Sequence, residues 1–265
     1  MVSTTALVFA ALAAVASAAP TTTSACKPPV YTLPTAGGGK FPIALDRLGA
    51  VWLTNLADVL AAPAAGLVLK KIAIGHGIQN YTCDTTTGAS TAIGALAVLY
   101  DATPLYPGTK NTGLSQSLWD STPSNVLRKT ALPLNKLAGT TYGADAKKPF
   151  PAPADLKLQG LPNVKFLGHH FFDIAGVPVF DLSAVGLKAT VKKVGNISAP
   201  STADQGILNT GAVAWLKLDD NATGNSKGLS TVYRVVTAGG NAQACSVAGV
   251  GVQSVPYTTY YWFFG

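Results

Sequence analysis

The chain contains no glutamate: all 12 of its acidic residues are aspartates, and charged residues make up only 12% of its 265 positions. This removes the glutamate-based acid/base pairs of most glycosidases and any H-E-x-x-H metal site. Arginine is almost missing as well, limited to Arg47, Arg128 and Arg234. No G-x-S-x-G elbow and no Walker sequence occurs. Neither Gly75-His76-Gly77-Ile78-Gln79-Asn80 nor Gly249-Val250-Gly251 completes a dinucleotide fingerprint or opens a helix, so no cofactor is expected. Beyond the N-terminus, no segment is long and apolar enough to span a membrane.

The net charge is nevertheless +7, carried by lysines spread as pairs such as Lys70-Lys71, Lys147-Lys148 and Lys192-Lys193. Without arginine clusters or a nucleic-acid motif, nucleic acid is not an expected partner. An anionic polysaccharide or cell-wall glycan fits better, a merely solubilising charge being the alternative.

Residues 6–14 are apolar, too short a run for a membrane span, and Ala16-Ser17-Ala18 matches a cleavage signal. Residues 1–18 therefore read as a signal peptide, 19–65 as a leader with one helix at 43–60, and 66–265 as a single β-rich domain. Export to the cell exterior or wall implies oxidation of Cys26, Cys83 and Cys245. Cys83 ends a strand and Cys245 precedes the last one, which makes them the preferred pair. Asn80, Asn196 and Asn221 open N-x-S/T sequons, as in a secreted glycoprotein.

The C-terminal third organises the rest. Residues 211–219, 230–238 and 252–264 read as strands, the last ending in Tyr260-Tyr261-Trp262-Phe263-Phe264. Earlier strands are expected at 67–74 and 78–83, around Gly75-His76-Gly77, and at 93–100, 164–173, 177–182 and 187–194. Strands at this spacing without alternating long helices give a mainly β chain, an antiparallel β-sandwich or barrel-like domain. The Pro/Gly-rich stretch 103–163 reads as a loop-rich excursion, either binding loops or solvated surface.

His169 and His170 are the most conspicuous polar feature. Neighbours on a strand point to opposite faces, so both enter one site only across a bulge. A histidine-only metal set would also need His76, which no spacing brings near, and no metal is expected. Asp173 and Asp181 flank the next turn and would serve either acid–base chemistry or the turn itself. His169, His170, Asp173 and Arg234 are thus the catalytic candidates. On the last strand Tyr257, Tyr261 and Phe263 share one face, and Tyr260, Trp262 and Phe264 the other. If one face is open, its rings stack on sugars with Tyr233 and Arg234 adding hydrogen bonds. Tyr233, Arg234, Tyr257 and Tyr261 are accordingly the ligand-binding candidates, core packing being the alternative.

Several motifs carry a resemblance: Gly75-x-Gly77-x-Gln79-Asn80-Tyr81-Thr82-Cys83, Gly168-His169-His170-Phe171-Phe172, Trp215-Leu216-x-Leu218, Val232-Tyr233-Arg234-Val235 and Val255-Pro256-Tyr257-Thr258. In this order they resemble a family of secreted proteins of unknown function, common in filamentous fungi and present in bacteria, whose genome labels often read malate dehydrogenase. The resemblance brings no catalytic residues, and that label requires a Rossmann unit for which the chain has no sequence. Family members often carry a further cysteine where this chain has Thr103-Pro104-Leu105, which bears on the partner of Cys26.

Three readings remain open at this stage. The first is a non-catalytic glycoprotein of the cell surface or host interface that binds a glycan or wall polymer. The second is a hydrolase or lyase using a histidine, and the third an effector or structural protein acting through protein contacts.

Overall fold

The computed structural model describes residues 31–34, 60–84 and 86–265. The expected signal segment, nearly all of the expected helix at 43–60, and Cys26 lie outside the described residues.

Eight strands run in chain order around a closed antiparallel barrel. They are β1 (Leu69–Asp84), β2 (Ala89–Asp101), β3 (Phe166–Phe172), β4 (Pro178–Leu182), β5 (Leu187–Ile197), β6 (Trp215–Asp220), β7 (Thr231–Gly239) and β8 (Gly251–Phe264). The final strand closes the ring, pairing with β1 from Leu69↔Phe264 to Cys83↔Gly251 and with β7 from Thr231↔Phe264 to Gly239↔Tyr257. Closure leaves no sheet edge, which is how so apolar a C-terminus is accommodated. Of the two expected architectures, the barrel is the one found.

One expectation is corrected at β1. Residues 67–74 and 78–83 are not two strands around a glycine turn but parts of one 16-residue strand. Gly75 is there for a close approach: a Cβ at this position would lie 2.5 Å from Cε2 of Tyr261. The missing side chain makes room for that ring across the strand.

The strands bury both faces of the sheet on this side. Ala73, Leu99, Phe180, Val232, Tyr257, Tyr261 and Phe263 form the inner cluster. Ile72, Ile74, Val98, Tyr233, Tyr260, Trp262 and Phe264 belong to a second cluster outside the barrel. The segment 103–163 covers this outer face, so it is neither a solvated surface nor a set of bare binding loops. It supplies Leu105, Tyr106, Trp119, Val126, Leu156 and Leu158 to the outer cluster. Much of the cover is α1 (Gln116–Lys129), capped where the Ser115 side chain accepts from the Leu118 N–H. Trp119 lies parallel to Tyr260 with ring centroids 4.1 Å apart.

Cys83 and Cys245 form a disulfide across 162 residues. It fixes the start of the one-turn helix α2 (Cys245–Ala248) to the end of β1.

Candidate functional site

The inside of the barrel is not filled to one end. A cavity of about 440 Å³ opens there, and each strand gives it at least one side chain, among them Gln79 from β1, His170 from β3, Phe180 from β4, Arg234 from β7 and Tyr261 from β8. Eight strands suffice to enclose one small ligand where side chains leave the space. Its volume falls in the usual small-molecule range, on the order of 300–1,000 Å³.

Arg234 is the cavity's charged centre. Its Nε–H and Nη2–H donate to the Ala214 carbonyl at 3.1 and 2.9 Å, which orients the guanidinium but uses only part of its donor fork. Among the described residues no aspartate lines the cavity, and none of the ion pairs involves Arg234. Just beyond Arg234 the pairing of β7 with β8 slips between Val235 and Ala238, where Val236 takes a φ of 51°. Such a bulge locally re-aims a strand, here next to the site. Gln79, 7% exposed, adds a second donor whose Nε2 has no partner among the described residues.

The walls are mostly apolar. His170 stacks on Phe180 with centroids 4.0 Å apart and planes at 5°, and meets Tyr261 edge-on at 5.6 Å. Its Nδ1–H donates to the Val179 carbonyl at 2.8 Å, leaving Nε2 as the unprotonated acceptor. Burial, opposed by the hydrogen bond to the Val179 carbonyl, pushes its pKa down to about 4. The imidazole is therefore neutral near pH 7. Tyr261 and Tyr257 place their hydroxyls 2.9 Å apart, and burial raises both pKa values.

The other sequence candidates lie elsewhere. His169 points to the opposite face from His170, half-buried, with its ring stacked on Phe150 at 4.0 Å. Asp173 sits on the β3–β4 turn, its Oδ1 accepting the Ala175 and Val177 N–H groups. Tyr233 faces outward but is fully buried, its hydroxyl donating to the Ala61 carbonyl at 2.6 Å. Tyr257 is buried beside Tyr261 and does not line the cavity. Of the sequons, exposed Asn196 stands at the cavity, Asn80 accepts from Ser254 at 2.7 Å, and Asn221 accepts from Thr190 and Thr223.

His76 also lies outside the barrel, with Nδ1 2.9 Å from the Thr258 hydroxyl. It borders a second cavity of about 420 Å³ lined by two cations, Arg128, which is paired with Asp204, and Lys136. The barrel lumen, to which each of the eight strands contributes, is the better candidate. Among the described residues no three His, Cys, Asp or Glu side chains gather to hold a metal.

The convergence brings together His170, Arg234 and Tyr261 and adds Gln79, Tyr81 and Phe180, which the sequence reasoning did not single out. Gln79 had a readable signal, as a polar residue in alternation with Gly75 and Gly77 on an otherwise apolar strand. Phe180 had none.

A family model described as "Protein of unknown function (DUF3455)" matches residues 63–265. No curated protein and no solved structure matches the chain.

Proposed function

The chain belongs to the DUF3455 family, whose description names no activity, and we propose that it is a non-enzymatic binding protein that holds a small molecule inside its barrel. The carrying observation is the lumen itself, a cavity of about 440 Å³ to which all eight strands contribute. Apolar walls with a few placed polar groups are the usual composition of a ligand site. The export signal and sequons support a secreted glycoprotein of the cell surface or host interface as its setting.

A hydrolase or lyase at this site would need a proton donor or acceptor poised near neutrality. His170 is held neutral with one nitrogen committed to Val179, and among the described residues the lining offers no carboxylate to work with it. A malate dehydrogenase is disfavoured further, because an antiparallel up-and-down barrel offers no βαβ nucleotide unit.

A second reading, capture of a wall polymer, has one specific support. Exposed Lys193 borders the cavity in a chain of net charge +7, which favours the approach of an anionic chain end.

Native mass spectrometry of the protein recovered from its producing culture tests the first reading. The expected result is a co-purifying adduct of small-molecule mass that is lost on denaturation. Turnover of a presented substrate by the purified protein would overturn it. Retention on wall polysaccharide with no adduct would favour the second reading.

A further inference from the structure

Resting on that lumen reading, we infer that the ligand is a carboxylic acid with an apolar body, its carboxylate held by Arg234 and its body laid against the apolar lining that includes Phe172, Pro178 and Leu216.

The argument starts from unmatched donors. Arg234 carries five N–H groups, and its two hydrogen bonds within the described protein go to a single carbonyl, that of Ala214. Gln79 lies beside it with a buried Nε2 that has no well-aligned acceptor among the described residues, its side chain set against the Tyr257 phenol. A permanent charge facing a cavity with no acid beside it among the described residues carries a desolvation cost that an anionic acceptor offsets. The planar guanidinium fork matches a carboxylate in particular.

The remaining surface sets the rest of the ligand. The rings of His170 and Phe180 stack face to face, edged by Tyr261, and are almost fully buried behind the cavity surface. Leu216, Leu218 and Phe172 extend the apolar lining. A sugar, with hydroxyls around its whole ring, would leave most of them unpaired against this surface. An aromatic or alicyclic acid does not.

With His170 neutral, Arg234 is the one permanent charge of the inner wall among the described residues. The second cation at the cavity, Lys193, is exposed and serves entry rather than retention. A single inner charge suits a monoanion.

A matched pair of probes tests this on the intact protein by titration calorimetry: 2-naphthoate and 2-naphthalenemethanol, which share a body and differ in the head group. Naphthoate is expected to bind about tenfold tighter or more. In Arg234→Met that preference should vanish while the alcohol binds as before, circular dichroism showing the fold unchanged. The wild-type comparison stands alone should Arg234→Met fail to fold.

Equal wild-type affinity for the two probes would overturn the inference and leave lumen binding standing. Binding of neither probe, in a protein that retains another small-molecule adduct, would also overturn the inference alone. Binding of neither probe and no adduct at all would overturn the lumen reading with it. Binding of oligogalacturonate in place of naphthoate would contradict the apolar body and support capture of a polymer end.

Discussion

The hydroxyl of Tyr260 donates to the main-chain carbonyl of Trp119 at 2.9 Å. In an uninterrupted helix that carbonyl would receive the N–H of residue 123, but position 123 is Pro123, which has none. The barrel's last strand thus supplies the hydrogen bond that the helix lacks, while the two rings stack above it. Pro123, a helix breaker on local grounds, is tolerated because the sheet beneath completes the ladder.

Removing only that oxygen, in Tyr260→Phe, leaves the stacking and strands a buried carbonyl. The expected loss is about 1–3 kcal/mol of stability. For a domain of this size that lowers the Tm by several degrees. Thermal melts followed by circular dichroism measure it, and an unchanged Tm would show that the helix does not depend on this bond.

Acid should weaken the fold in two stages. His76 and His170 are each held at about 4, chiefly by burial, against an ordinary value of 6.5. The unfolded chain binds those protons first, so stability falls as pH drops from about 6.5 to about 4. Asp204 is held down to about 2, first by its hydrogen bond from Arg128, and its contribution is lost as pH falls from about 4 towards 2. Urea unfolding at successive pH values should show both slopes. His170→Phe should flatten the upper one, and a stability flat from pH 7 to 4 in the wild type would contradict the assignment.

The Cys83–Cys245 bridge pins the segment before β8 to the end of β1. Cys83→Ser with Cys245→Ser should cost about 2–4 kcal/mol, because the link constrains a long loop in the unfolded chain. Melts with and without reductant should separate by several degrees in the native sequence and coincide in the double variant.

Most of the barrel was legible because its strands alternate with period two or run apolar between turn residues, as at Thr231–Gly239 and Gly251–Phe264. What failed depended on partners distant in sequence. Gly75 and Gly77 read as a turn, yet Gly75 is shaped by Tyr261 from the opposite end of the chain. Helix α1 was hidden by Pro123, whose cost Tyr260 offsets. His170 and Arg234 were visible as chemistry, but not as neighbours, since only closure of β1 on β8 brings β3 and β7 around one lumen. Nothing local distinguishes Tyr233 from Arg234, although adjacent positions on β7 send one outward and the other inward.

The lumen claim is tested most directly by filling it. Ala95 lines the cavity, so Ala95→Phe directs a ring into the open volume. Naphthoate affinity measured by calorimetry should fall about tenfold or more in Ala95→Phe, with the thermal melt preserved. Undiminished binding in the plugged, folded protein would place the ligand outside the barrel and contradict the account.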